Sequence, residues 1–170
     1  MTDSWAIEKL HRRHDRAAFS CGVTELDDYL RLYATQNEKT SISQHFVAVP
    51  APGHTRILGY YALSAGAVAF DQIPDDLKKR LPRYPIPIAH IGRLAVDQSM
   101  QGQGLGEDLL IDALLRILLA ADEIGIHAVE VLATNDQAKN FYQKYGFTPL
   151  PENHRHLYLP LAHIRKLRLI

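Results

Sequence analysis

The stretch Ile91-Gly-Arg-Leu-Ala-Val-Asp97, followed by Gln101-Gly-Gln-Gly-Leu-Gly106 and an apolar segment to Ile124, decides the fold. It predicts a buried strand, a glycine-rich turn and a long helix over 105–124 that ends at Gly125. The three glycines of the turn leave the backbone uncovered, so that consecutive N–H groups can point at one anion. These groups lie at the N-terminus of the predicted helix, where the helix dipole also favours negative charge. The stretch therefore predicts a site for a phosphate-bearing cofactor.

The composition is that of an ordinary globular chain. Its 170 residues are 46% hydrophobic, and we predict a single domain over residues 1–170. A net charge of zero by itself predicts no nucleic-acid partner, although basic residues cluster at 9–16, 78–83 and 163–168. Cys21 is the only cysteine, which excludes an intramolecular disulfide and fits a reducing compartment. No signal-peptide pattern or membrane-length apolar run is present, so we expect a cytoplasmic protein.

The rest of the chain alternates strand and helix patterns. We predict a strand at 5–10, a helix over 25–37 with Thr24 as its N-cap, paired strands at 45–49 and 57–70, and a short helix over 74–81. After the central strand and the long helix, the pattern predicts a strand at 128–134 and a helix over 136–145 capped by Asn135. Strands around Phe147 and at 156–160 precede a basic helical tail at 162–170. This order predicts an α/β fold with a mixed sheet and helices on both of its faces.

The glycine turn has three alternative interpretations. A nucleotide P-loop requires Lys and then Ser or Thr after the last glycine, and Glu107 stands there instead. A dinucleotide-binding turn requires Gly-x-Gly-x-x-Gly with an acid at the end of the next strand, whereas here the spacing is Gly-x-Gly-x-Gly and the acids precede that strand. The third interpretation, a turn with no ligand, stays open on the turn alone.

Two motifs resemble the GCN5-related N-acetyltransferase (GNAT) superfamily. The turn, Gln101-x-x-Gly104-x-Gly106, resembles its acetyl-coenzyme A loop, and Asn135-Asp-Gln-Ala138 with Phe141-Tyr-Gln-Lys-Tyr-Gly-Phe147 resembles its later motif. The resemblance implies a GNAT-like fold, with a mixed, mostly antiparallel central sheet flanked by helices on both faces. It also implies N-acetyltransferase activity with acetyl-coenzyme A as the donor.

A narrower resemblance lies in the N-terminal half. Five segments resemble the toxin branch of the superfamily: Phe19-Ser-Cys-Gly22, Leu26-Asp-x-Tyr-Leu30, Gly59-Tyr-Tyr-Ala-Leu63, Gly66-Ala-Val68 and residues 91–97. This resemblance implies acetylation of the α-amine of aminoacyl-tRNA, which blocks translation. It also implies a homodimer and a ribbon-helix-helix antitoxin as partner.

The resemblance assigns roles to individual positions. Tyr142 is the candidate general acid, because a phenol with a pKa of ~10 is protonated at neutral pH and matches a departing thiolate. Tyr145 is the alternative acid, and simple packing is the other interpretation of Tyr142. In the superfamily the strand at 94–96 splays from its neighbour and frees N–H groups for the pantetheine arm and the oxyanion. The implied cofactor-binding residues are Leu94, Ala95, Val96, Gln101, Gly102, Gln103, Gly104, Leu105, Gly106, Asn135 and Phe141. Asn135 is equally well interpreted as a plain N-cap.

Substrate contacts follow less directly. Arg93 is assigned either to an RNA phosphate or the terminal adenosine, or to an ion pair with Asp97 or another acid. The candidate contacts to the tRNA backbone are Lys78, Lys79, Arg12 and Arg13. No residue is identified as a general base, and this favours an α-amine, with a pKa of ~7.7–8.0, over a lysine side chain at ~10.4.

Other reactive residues are assigned to structure. We predict a small buried residue at Cys21, no metal at His154 and His156, and a structural role for His90. Alternatives for the whole chain are a GNAT enzyme that acetylates a small amine, a peptide or a ribosomal protein, or a module that binds coenzyme A without catalysis.

Overall fold

A computed structural model describes residues 5–167, which form seven strands and five helices. The strands are β1 (Ala6–Lys9), β2 (Gln44–Val49), β3 (Gly59–Val68), β4 (Ile86–Val96), β5 (Ala128–Leu132), β6 (Thr148–Leu150) and β7 (Asn153–Pro160). The helices are α1 (Thr24–Leu32), α2 (Ala34–Lys39), α3 (Leu105–Ala120), α4 (Asp136–Lys144) and α5 (Leu161–Arg165). The strand order is β1-β2-β3-β4-β5-β7-β6. Because β4–β5 is parallel, whereas β1–β2, β2–β3, β5–β7 and β6–β7 are antiparallel, the predicted mixed, mostly antiparallel sheet is confirmed.

The contacts divide the described chain into two compact units. The first unit contains residues 5–64 and Arg93–Ala113, and the second contains Ala65–Gly92 and residues 114–167. Each unit has a core of its own. The first is built from α1 and from residues of β2 and β3, and the second from residues of β3, β4, β5 and β7.

Helix α1 forms because Leu26, Tyr29 and Leu30 fall on one face, and all three are buried in the first unit. The prediction of Thr24 as N-cap is wrong: Val23 is the N-cap and makes no side-chain cap bond. The Asp27 carboxylate reaches back instead and accepts the N–H of Cys21 at 2.9 Å. The predicted helix over 25–37 is also interrupted, because a non-helical residue at position 33 separates α1 from α2.

The predicted helix over 74–81 is absent from the second unit. A single 3-10 turn, Asp75–Leu77, replaces it, after another at Phe70–Gln72. Arg80 has a φ of 67°, in the left-handed region, and a helix cannot pass through that conformation.

Helix α3 begins as predicted but ends at Ala120 rather than at Gly125. The chain tightens there, since Asp122 N–H donates to the carbonyl of Leu119 and Glu123 N–H to that of Ala120. Two acids at the negative end of the helix dipole disfavour a further α-helical turn.

Helix α4 agrees with its prediction. The Asn135 side chain accepts the Ala138 N–H at 2.8 Å, and Gly146, with a φ of 97°, follows the last turn. The tail forms α5, and its predicted continuation over 168–170 lies outside the described residues. Between residues 5 and 167, no helix has the length and apolar character that crossing a membrane requires.

Candidate active site

The glycine turn of the first unit has the geometry of an anion site. Gly102 and Gly104 have φ values of 81° and 90°, a conformation that other residues rarely adopt. A Cβ built at either position meets nothing within 4 Å, so the space in front of the turn is open. The Gly104 carbonyl accepts the Asp108 N–H at 3.2 Å, so the turn passes directly into α3 and its unpaired first N–H groups. These residues therefore fit a phosphate group.

The side chains around the turn anchor it. Gln101 Nε2 donates to the carbonyls of Cys21 and Val96, both at 2.9 Å, so this side chain positions the loop. Asp108 accepts the indole N–H of Trp5 at 2.9 Å, as suits an acid turned aside from the anion. Burial alone would raise the pKa of Asp97, but hydrogen bonds from Ser99 and from the Ser20 N–H hold it below its usual range.

The strand that precedes the turn is packed closely against β3. A Cβ at Gly59 would lie 2.9 Å from the Ala95 carbonyl oxygen and 2.9 Å from Leu109, so the close approach requires glycine. The β4–β5 ladder runs from Ile88↔Ala128 to Ile91↔Val131, whereas β4 itself continues to Val96. Residues 92–96 thus lie beyond the register of β4 with β5, and the splay of this strand stays a prediction.

Arg93 uses its guanidinium on an aromatic ring. Its Cζ lies 3.7 Å from the centroid of the Tyr29 ring, and the Tyr29 hydroxyl lies 2.7 Å from His45 Nε2. Among residues 5–167, Arg93 has no ion pair, and Asp97 has the partners given above. The structure thus replaces the Arg93–Asp97 ion pair with a cation–π contact.

The other basic candidates lie in both units. Arg12 and Arg13 are exposed in the first unit, where Arg13 pairs with Glu8. In the second unit Lys79 is exposed, and Lys78 pairs with Asp75 at 3.1 Å and lies over the Phe70 ring. Arg13 and Lys78 therefore already form ion pairs with acids of the chain itself.

Tyr142 of the second unit is buried, with 3% of its surface exposed. Its ring packs edge-to-face on Phe141 and Phe147, with centroids 5.3 and 5.7 Å away. Burial raises the pKa of its phenol above the ordinary value. The phenol is therefore protonated at neutral pH, as a general acid must be.

Tyr145 and Phe141 lie on the same helical segment, half-buried, with ring centroids 5.3 Å apart. Asn135 acts as the N-cap of α4, which is the structural one of its two interpretations. The structure thus places the turn, the donor strand and Arg93 in the first unit, and Asn135, Phe141, Tyr142 and Tyr145 in the second.

Cys21 is buried, and burial raises the pKa of its thiol to about 11, so a thiolate nucleophile is disfavoured. No group of three or more His, Cys, Asp or Glu residues in the described chain could hold a metal ion.

Sequence reasoning missed one cluster. Glu130 Oε1 lies 3.0 Å from His90 Nδ1, and its Oε2 lies 3.0 Å from His156 Nδ1. The sequence carries one signal for it, namely a single acid inside the apolar strand Ala128-Val-Glu-Val-Leu132.

The fold and the anion turn fit an enzyme that binds a phosphate-bearing cofactor, and the sequence comparison gives its family. The acetyltransferase (GNAT) domain matches residues 42–149, so the chain belongs to the GNAT family and is an N-acetyltransferase.

Particular relatives are toxins. The chain is 40% identical over 162 residues, 95% of each chain, to the "tRNA-acetylating toxin" of Mycobacterium tuberculosis (strain H37Rv). It is 36% identical over 163 residues to the "Probable toxin TacT" of Sinorhizobium fredii (strain NGR234), which covers 91% of this chain and 90% of the relative.

Solved structures of similar chains share the fold of this protein over nearly its whole length. A tyrosine-to-phenylalanine variant of KacT has a TM-score of 0.90 and 31% identity, over 97% of this chain and 99% of that one. AtaT complexed with acetyl-methionyl-tRNAfMet has a TM-score of 0.88 and 31% identity, over 96% and 98%. An AtaT variant bound to the C-terminus of the antitoxin AtaR and acetyl-CoA has a TM-score of 0.82 and 30% identity, over 97% and 98%.

Proposed function

We propose that this chain is a toxin that acetylates the α-amine of aminoacyl-tRNA and thereby blocks translation. The observation that supports this most is the match to a tRNA-acetylating toxin at 40% identity over 95% of both chains. The structure of the similar AtaT with acetyl-methionyl-tRNAfMet supports the same class of substrate.

Acetyl-coenzyme A is the donor, and it supplies an acetyl group activated as a thioester. The backbone of the turn holds its pyrophosphate, since Gly102 and Gly104 leave open space at the N-terminus of α3. Backbone N–H groups of Leu94–Val96, beyond the β4–β5 register, bind the arm and the acetyl oxygen. The remaining cofactor contacts come from Gln101, Gln103, Leu105, Gly106, Asn135 and Phe141.

Tyr142 holds a proton at its hydroxyl oxygen and donates it to the departing sulfur. Burial raises the pKa of the phenol, so it is protonated at neutral pH and has a proton to give. Tyr145, three residues further on, is the second candidate.

Arg93 contacts the acceptor end of the RNA, where a guanidinium stacked on Tyr29 can bind a phosphate or a base edge. Lys78, Lys79, Arg12 and Arg13 add contacts to the backbone, whose strength falls with salt. We further propose a cytoplasmic homodimer that is neutralised by a ribbon-helix-helix antitoxin. The AtaT variant bound to the C-terminus of AtaR supports the antitoxin.

The test uses the purified chain, labelled acetyl-coenzyme A and a total pool of aminoacyl-tRNA, with polyamines, free amino acids and ribosomal protein in parallel reactions. We expect label on the tRNA fraction that is lost when the ester bond is hydrolysed. Label on another acceptor alone would support acetyltransferase activity and refute the proposal that the chain is a tRNA-acetylating toxin. Coenzyme A binding without transfer to any acceptor would indicate a non-catalytic module.

A further inference from the structure

The side chain of Tyr33 lies exposed in the first unit, where α1 ends and α2 begins. It is 56% exposed, and its backbone leaves helical geometry with a φ of −122° and a ψ of −26°. Its ring centroid lies 6.4 Å from that of Tyr29, and the two ring planes are inclined at 31°. Arg93 contacts the same Tyr29 ring, with its Cζ 3.7 Å from the centroid. One buried ring thus contacts both an exposed aromatic side chain and a guanidinium.

Hydrogen bonds fix the Tyr29 ring that links them. Its hydroxyl lies 2.7 Å from His45 Nε2 and 3.0 Å from both Asn37 Nδ2 and Ser43 Oγ. Burial lowers the pKa of His45, so its imidazole is neutral at neutral pH. His45 Nδ1 lies 2.9 Å from Glu38 Oε2, so Nδ1–H donates to that carboxylate and the Nε2 lone pair accepts the tyrosine proton. The ring is therefore oriented before any ligand binds, which lowers the entropy cost of binding.

The charge around Tyr33 suits a polyanion. Arg93 has no ion pair between residues 5 and 167, and Arg16 donates a hydrogen bond to Thr35 of α2, two residues beyond Tyr33. The acids within five residues of Tyr33 already have cationic partners, namely Asp28 with Arg31 and Glu38 with Lys9. The negative charges close to the exposed ring are thus neutralised within the protein.

The combination of groups indicates the kind of ligand. An exposed aromatic ring by itself has no functional implication. Beside a guanidinium without an ion pair, however, it is the arrangement with which proteins bind single-stranded nucleic acid, because bases stack on the ring and the guanidinium binds a phosphate or a base edge. A paired stem keeps its bases stacked on one another and offers no free base face. The ligand that fits is therefore an unpaired nucleotide.

We propose that Tyr33 stacks on a base of the unpaired 3′ end of the tRNA while Arg93 binds the adjacent phosphate or base edge. This assignment rests on the proposed function, and it adds the residue that distinguishes the single-stranded end from the paired stem. Tyr33 and Arg93 belong to the same compact unit as the glycine turn. Arg93 directly precedes Leu94–Val96, the segment that we assign to the arm of the donor. The RNA end that carries the amino acid is thus held beside that segment.

The test measures, by fluorescence anisotropy, the affinity for a tRNA and for the same tRNA shortened by its unpaired 3′ nucleotides. We expect Tyr33→Ala to weaken binding of the full-length tRNA about tenfold and to change binding of the shortened tRNA by less than about twofold. The salt slope of Tyr33→Ala should equal that of the wild type, because no charge is lost. Arg93→Gln should instead reduce the slope by about one.

Further variants separate stacking from apolar contact and from folding. Tyr33→Phe keeps the aromatic face and should bind as the wild type does, whereas Tyr33→Leu keeps an apolar side chain without that face and should bind as weakly as Tyr33→Ala. Leu32→Ala is the matched control, because Leu32 is the preceding residue and is 62% exposed. All four variants should keep the urea midpoint of the wild type, since both side chains are exposed and the hydrogen bond from residue 33 to the Tyr29 carbonyl is made by the backbone.

Several results would overturn the proposal. These are an unchanged affinity of Tyr33→Ala for the full-length tRNA, an equal loss on both RNAs, or an equal loss in Leu32→Ala. Unchanged tRNA affinity together with dissociation of a dimer in Tyr33→Ala, seen by analytical ultracentrifugation, would assign the ring to a protein interface. If the wild type binds tRNA but acetylates no aminoacyl-tRNA, the proposed function fails, and the comparison of the two RNAs still decides the role of Tyr33. If the wild type binds neither RNA, both proposals fail.

Discussion

Replacing Tyr142 by phenylalanine removes one hydroxyl from a site that otherwise stays intact. The contacts of its ring with Phe141 and Phe147, at 5.3 and 5.7 Å, are apolar and are kept by the new side chain. Burial raises the pKa of the Tyr142 phenol, so the hydroxyl is protonated at neutral pH. We therefore expect the free energy of unfolding to stay within about 1 kcal/mol of the wild type.

The expected loss lies in the rate. A positioned general acid contributes about 10²- to 10⁴-fold, which corresponds to about 2.7–5.4 kcal/mol of transition-state stabilisation. Single-turnover transfer of labelled acetyl to aminoacyl-tRNA measures this step, and calorimetry measures coenzyme A affinity. We expect the transfer rate to fall by that factor and the affinity to change by less than about twofold.

Two tyrosines provide the comparison. Tyr145→Phe tests the alternative acid on the same helical segment, and Tyr84→Phe is a matched control, because Tyr84 is 63% exposed. We expect both to transfer acetyl within about threefold of the wild-type rate. A normal rate in Tyr142→Phe together with a large loss in Tyr145→Phe would assign the acid to Tyr145. Loss of coenzyme A binding in Tyr142→Phe would refute the reasoning, since the hydroxyl would then contribute to binding rather than to proton transfer.

Three further predictions concern the first unit and its strands. Gly59→Ala should lower the free energy of unfolding, measured by urea titration, by about 1–3 kcal/mol, because its Cβ would lie 2.9 Å from a backbone carbonyl of β4. Gly66→Ala is the control and should lower it less, because its Cβ meets a side chain that can move. Arg93→Gln should weaken tRNA binding about tenfold and reduce the salt slope by about one, measured by fluorescence anisotropy at several salt concentrations; an unchanged slope would exclude a phosphate contact. His45 is fully buried, and burial holds its pKa below the ordinary value despite a carboxylate partner, so the unfolded chain binds more protons. Its contribution to stability should be complete above pH ~6.5 and decline as the pH falls, and His45→Gln should flatten the dependence of the urea midpoint on pH between 7.5 and 5.5.

Features that depend on a few adjacent residues could be predicted from the sequence. The cap at Asn135 follows from one side chain and the amide three residues on, and the structure has that bond at 2.8 Å. The glycine turn follows from residues that tolerate a positive φ, and Gly102 and Gly104 adopt it. Both signals are local, so the rest of the chain does not alter them.

Where the prediction was wrong, a distant or conformational constraint prevailed. Thr24 has the chemistry of an N-cap, but Asp27 bonds to the N–H of Cys21 and α1 starts one residue earlier. The segment 74–81 has a helical pattern, but Arg80 adopts a left-handed conformation that ends it. Neither competing interaction has a signature in the periodicity.

The histidine cluster could not be found because its members are far apart in sequence. Positions 90, 130 and 156 meet only through the pairing of three strands. Each histidine taken alone supports a structural interpretation, and His156 beside His154 suggests a metal pair instead. The lone acid in β5 was the informative residue, since an unpaired buried carboxylate is costly and implies partners.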